Sequence, residues 1–363
     1  MSDTVAGSAT AFFLYDVADA IDLARVRTLV EATVRSPLTP KVTTPPYIQY
    51  LQPPVAIDGR TIGVADTDGF RVRFRIFDYG VVSVALTRAL PETWHALLEE
   101  GLRLHDSAEL SAAAERFCRT LVGRVTPAVT NARGEFLSED YLVFGIAAPP
   151  DGQPADALLA AHGGDIAQLL RGERERLSGQ EREEVLRHRI SYFTGDLVVP
   201  TWNAAFIYDA DAGQQGALEL LEFANSQLLQ FRYYDQLLDA ELARIYAQLQ
   251  GAGWGRTWFG RRYTRAARNV HALFIDVNEL TDKTENALKI VGDPYAARVF
   301  ALAAARLGLD QWKGNVREKL QTLDDIYRFA VEQTAMARGE FLELSIVLIL
   351  LFELALFFMG IMN

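Results

Sequence analysis

The chain has 363 residues, 50% of them hydrophobic and 23% charged, with a formal net charge of -11. That length accommodates two or more domains with sizeable cores, and the acidic balance argues against general nucleic-acid binding, which needs a cationic surface, while leaving room for a local basic patch. The single cysteine, Cys118, excludes an intramolecular disulfide framework and a multi-thiolate metal site, and its amphipathic helical setting reads as a small buried apolar position.

The opening MSDTVAGSATAFFLYD contains acids, no arginine-rich amphipathic pattern and no basic region ahead of an apolar core. Neither a secretory signal nor a transit peptide is expected, so the body should stay in the compartment where it is made. AFFLYDV at 11–17 is a short apolar run fit for a buried strand, followed by an amphipathic helix near 18–34. Prolines make 45–59 a loop with a short strand, YIQYL. Val72, Phe74 and Ile76 alternate with Arg71, Arg73 and Arg75, the period of a half-buried strand. The β-branched run 81–86 follows, and Asp78-Tyr79-Gly80 between them predicts a β-hairpin.

Helices are expected at 91–106, opened by Pro91, and at 108–125, capped by Ser107. A buried strand at 141–148 stops at Pro149-Pro150, a helix spans 154–170, and the charged GERERLSGQEREEVLRHR is a solvated helix or loop. ISYFTGDLVVPTWNAAFIYD reads as two strands joined around Pro200. Residues 1–212 are thus expected to form one cytoplasmic α+β domain.

From residue 213 a seam recurs at alternating steps of three and four, apolar at every position but Asp235: Ala217, Leu221, Ala224, Leu228, Phe231, Asp235, Leu238, Leu242, Ile245 and Leu249. The pattern repeats over 257–291, stops at Gly292 and Pro294, and resumes from Leu320 to the C-terminal end. Such seams predict a coiled-coil-like stalk of long antiparallel helices over 213–340, packed within a chain or between chains. The segment 341–363, FLELSIVLILLFELALFFMGIMN, has an apolar run of about 20 residues and is expected to be one C-terminal transmembrane helix. Arginines on its N-terminal side place the body on the cytoplasmic face of a bacterial inner membrane, single-pass and tail-anchored. Glu353 near mid-span is an intramembrane carboxylate that either stabilises helix association or lines a conducting path.

No Walker lysine motif, nucleophile elbow or HExxH is present, and His95, His105, His162, His188 and His271 show no metal-ligand spacing. No enzyme activity, metal, cofactor or small-molecule substrate is expected. One constellation stands out in this acidic chain: Arg256, Arg261, Arg262, Arg265 and Arg268 mingle with Trp254, Trp258, Phe259 and Tyr263. The arginines could simply pair with acids on neighbouring helices. As a site, the mixture suits phosphate groups, either of single-stranded RNA through stacking or of a lipid bilayer with tryptophans at headgroup level. If 257–291 folds back against the last helix, that turn reaches the bilayer surface.

Four stretches resemble a family named for proteins required for meiotic nuclear division: FRIFDYGVVSVAL, LRHRISYFTGDLVVPTWNAAFIYD, FANSQLLQFRYYDQLLDAELARIYAQL and FLELSIVLILLFELALFF. The family's animal member is a mitochondrial inner-membrane protein needed for mitochondrial translation. The extra helical segments at 257–291 and 294–337, with no transit peptide, fit a bacterial branch. The resemblance implies an oligomeric, membrane-tethered protein without known enzyme activity. The function expected is therefore a non-enzymatic, homo-oligomeric scaffold holding an α+β domain at the membrane. Two alternatives remain. Gly360-Ile361-Met362-Asn363 loosely resembles the Gly-Met-Asn signature of the CorA magnesium channels, which would make the chain part of an ion channel. The arginine turn would make it an RNA or ribosome tether.

Overall fold

The apolar run near the N-terminus opens a much longer strand than it marks: in the computed structural model β1 (Gly7–Ile21) has 15 residues. The structure describes residues 5–33, 53–105, 107–148, 153–251 and 294–358, together with 275, 277 and 278. Strand β1 continues past the expected helix start because Ala18 and Ile21 still pair with Ala132 and Val129. In addition, Ile21 N donates to Asp78 O at 2.8 Å. Helix α1 (Leu23–Thr33) begins only after that pairing ends.

Six further strands complete one sheet: β2 (Val55–Asp58), β3 (Arg71–Ile76), β4 (Val81–Ala89), β5 (Val129–Ala147), β6 (Leu197–Pro200) and β7 (Ala204–Asp209). Their order is β2-β3-β4-β1-β5-β7-β6. Only β5 and β7 pair in parallel; the other neighbours are antiparallel. The expected β3–β4 hairpin is present, and β5, like β1, starts earlier than its apolar part at 141–148.

Side chains alternate across the pleat. Ala9, Ala11, Tyr15 and Val17 of β1 join Val72, Phe74, Val84, Leu142 and Phe144 in one core. Over that face lie α1, α2 (Trp94–His105), α3 (Ala108–Val125), α4 (Ala155–Arg171) and α5 (Gly179–Arg187). Local signals set their ends: Ser107 Oγ accepts from Leu110 N at 3.3 Å, and Ser178 Oγ accepts from Glu181 N at 3.1 Å. Cys118 of α3 is fully buried in this core, and burial pushes its thiol up, away from the reactive thiolate.

The other face shows Thr10, Phe12, Leu14, Asp16, Arg75 and Ser83, all buried. It is covered by the first part of α6 (Asp211–Gly251) and by α7 (Pro294–Arg306), whose Phe223 and Phe300 rings lie 5.6 Å apart. A sheet buried on both faces explains why its central strands read as apolar runs with little alternation.

The chain divides into two compact units, Met1–Tyr233 with Asp282–Trp312, and Tyr234–Thr281 with Lys313–Asn363. In the second, the rest of α6 meets α8 (Leu309–Phe358), a helix of 50 residues. Lys319 Nζ lies 2.7 Å from Asp235 Oδ1 and 2.6 Å from Asp239 Oδ1, and Tyr327 OH donates to Glu241 Oε1 at 2.7 Å. Leu238, Ile245, Val316, Leu320 and Leu323 are buried there. The partners advance together along both helices, so α6 and α8 run parallel where they meet. The antiparallel helix expected between them at 257–291 lies outside the described residues, apart from 275, 277 and 278.

Among the described residues no helix is long and apolar enough to cross a membrane. Two carboxylates, Glu343 and Glu353, stand within the described apolar part of α8. The expected transmembrane helix at 341–363 is corrected on this finding. With it fall the tail-anchored arrangement and the single-pass placement in a bacterial inner membrane.

Candidate functional site

The constellation that sequence patterning singled out, Trp254, Arg256, Trp258, Arg261, Arg262, Arg265 and Arg268, lies outside the described residues. Glu353 sits on an exposed part of α8. What the structure brings together instead is a polar seam between α6 and the sheet.

Glu219, Glu222, Ser226, Gln230 and Tyr233 follow one another on α6 at steps of three, four, four and three, a single helical face. The first four are buried. An apolar stripe would ordinarily occupy such a face; here each polar group meets a partner on the strands or on the β3–β4 turn.

At the start of the seam, Arg75 of β3 reaches Glu219 Oε1 at 2.9 Å and Glu222 Oε2 at 3.1 Å. All three residues are less than a tenth exposed, so this is an ion triad removed from water. Ser83, opposite Arg75 in the β3–β4 ladder, places a buried hydroxyl on the same face with no hydrogen-bond partner among the described residues.

The hairpin turn supplies the middle of the seam. Gly80 has φ +84°, and a Cβ there would overlap the carbonyl oxygen of Ala18, so only glycine lets the turn lie against β1. Val17 N donates to Gly80 O at 2.9 Å. The turn so placed puts Tyr79 OH 2.6 Å from Ser226 Oγ, and Gln227 Nε2 donates to it at 3.2 Å. Burial pushes the Tyr79 hydroxyl far above its usual range, despite these two hydrogen bonds.

The last part is built around a β-bulge, where the β1–β5 register shifts between Asp16 and Ala18. Asp16 is fully buried and accepts from Arg133 Nε at 2.6 Å and from Gln230 Nε2 at 3.3 Å. Arg133 Nη1 donates to Asp19 Oδ1 at 2.7 Å, and the guanidinium lies 3.9 Å from the Tyr233 ring centroid. Asn131, left-handed at φ +51°, donates to Asp19 Oδ2 at 2.9 Å. Burial raises the Asp16 carboxyl above its ordinary range, and the hydrogen bond and charge of Arg133 pull the other way. Arg232 pairs with Glu139 on the flank.

This arrangement is closed. It has the chemistry of a lock: ion pairs and hydrogen bonds that fix the rotation and register of α6, with no carboxylate pair open to a substrate. Among the described residues, no group of three or more His, Cys, Asp or Glu side chains could hold a metal ion. Sequence patterning missed the seam because its residues are of the types that cover solvated helix faces; FDYGVV and the small-step polar stripe of α6 were the only signals.

Residues 6–215 match the family model described as "Uncharacterized protein MJ0711, N-terminal domain", and the chain belongs to that family. The match ends just inside α6, so it takes in the sheet and the hairpin turn, while the seam's helical half lies beyond it. Uncharacterized protein MJ0711 of Methanocaldococcus jannaschii is similar, 24% identical over 201 residues, which is 55% of this chain and 61% of that protein. The chain thus spans less than two thirds of the relative it matches. No solved structure matches. No match connects the chain with the proteins required for meiotic nuclear division.

Proposed function

We propose that the protein is a non-enzymatic scaffold that assembles with copies of itself through the apolar part of α8. The observation that carries this reading is the surface of α8. Seven consecutive residues at 346–352 are apolar, and their exposures run from 51% at Val347 to 64% at Phe352. Consecutive residues point to all sides of a helix, so two turns of α8 are apolar all round. Such a surface calls for cover, and one neighbour covers one side only. Several copies of the same helix, side by side, cover every side with matching chemistry.

Sedimentation of the full chain tests it. The wild type should sediment as an oligomer, and a Leu348→Glu/Leu351→Glu variant, with charges on the apolar surface, as a monomer. A wild type that stays monomeric at tens of micromolar contradicts the proposal.

A further inference from the structure

The apolar part of α8 carries a charge that any cover must take in. Ile346, Ile349 and Leu350 stand seven, four and three residues before Glu353, so the four share one side of the helix. The three apolar side chains are 55%, 59% and 57% exposed, and Glu353 is exposed with them. Its sequence neighbours Phe352 and Leu354 are exposed apolar side chains as well. A helix laid over Ile349 and Leu350 therefore lies over the Glu353 carboxylate.

In the self-assembly proposed for α8, that cover is the same segment of another copy, and it brings no cation. From 339 to 363 the chain has no lysine, arginine or histidine; its ionisable side chains there are Glu340, Glu343 and Glu353. This holds whether the copies run parallel or antiparallel. On α8 itself the nearest cation is Arg338, fifteen residues before Glu353 and about 22 Å back along the axis. Where α6 packs against α8, the charged groups are Asp235, Asp239, Glu241 and Arg244. They meet Lys319 and Tyr327, 26 or more residues before Glu353. Among the described residues Glu353 has no ion-pair partner. A carboxylate taken from water into such an interface is disfavoured when ionised, and the neutral acid is favoured in its place.

We propose, resting on self-assembly through α8, that Glu353 makes this assembly acid-promoted: copies associate with Glu353 protonated and are held apart when it is ionised. The assembled form then binds more protons than the separate chains. Association is strongest at low pH and weakens as pH rises above the ordinary glutamate range. Sedimentation equilibrium of the full chain at about pH 5.5 and about pH 8 tests this. High salt screens the general repulsion between acidic copies, and Glu353→Gln keeps the side chain's shape while removing its charge. Wild type should associate roughly ten- to a hundredfold more tightly at the lower pH, within the limit of about tenfold per pH unit for each proton taken up. Glu353→Gln should associate tightly at both and lose most of that difference, whereas Glu353→Asp should keep it. Equal association of wild type at the two pH values would overturn the proposal while self-assembly stands. A pH dependence undiminished in Glu353→Gln would overturn it too, since the titrating group would lie elsewhere. Monomers at both pH values, in wild type and in Glu353→Gln alike, would overturn self-assembly and this proposal together.

Discussion

Tyr327 carries its proton under conditions in which an exposed tyrosine would lose it. Burial first, then the hydrogen bond to Glu241, raises it from 10.0 to about 12. Because the folded value lies above the unfolded one, the stabilisation is complete below pH 10 and is lost as pH rises through about 12. Urea unfolding across that window should show falling stability, with a smaller fall in Tyr327→Phe; parallel curves for the two proteins would mean that Tyr327 is not linked to folding. Single residues were unevenly legible beforehand. Ser107 was recognisable as a cap because capping acts over three residues. Tyr79 was recognisable only as part of a turn, because Ser226, the group its hydroxyl meets, is 147 positions away. Gly80 shares that limit: its left-handed φ suits any hairpin, whereas the carbonyl of Ala18 that forbids a side chain belongs to another strand.

At the scale of elements, α6 shows what an ion triad does and does not supply. Taking Arg75, Glu219 and Glu222 out of water is costly, so the triad specifies how the helix sits more than it adds net stability. Arg75→Met alone should lower unfolding stability by about 3–5 kcal/mol, since two carboxylates are left buried without their cation. Arg75→Met/Glu219→Leu/Glu222→Leu should recover most of that loss in the same denaturant titration. A triple variant no more stable than the single one would show that the triad itself holds the fold together. Periodicity located α6 well, from its alternating steps of three and four, but could not tell which stripe faces the sheet. Both stripes have helical spacing, and only the strands opposite decide that the polar one is buried. Strands β1 and β5 were underestimated for a related reason. Their outer parts hold Ala18–Ala132 and Ala20–Thr130 pairs, which have no strong apolar signature and exist through pairing with each other.

The whole molecule was readable as an α+β unit followed by long helices, because strand runs, turns and helical seams are local features. The membrane span was not sustained, since an apolar run in the sequence says that a surface needs cover without saying what covers it. Over the described side chains, 343–356, that run is a largely exposed helix surface, with Glu343 and Glu353 within it. Self-assembly through this surface is the central claim, and the chain is suited to a direct check. Cys118 is its only cysteine, fully buried with its thiol pushed up by that burial, and will not crosslink. Single cysteines placed in turn at positions 346–352 of the full chain and oxidised gently should give disulfide-linked dimers, strongest at positions three or four apart on one helix face. Monomer bands alone at all of these positions would contradict the account.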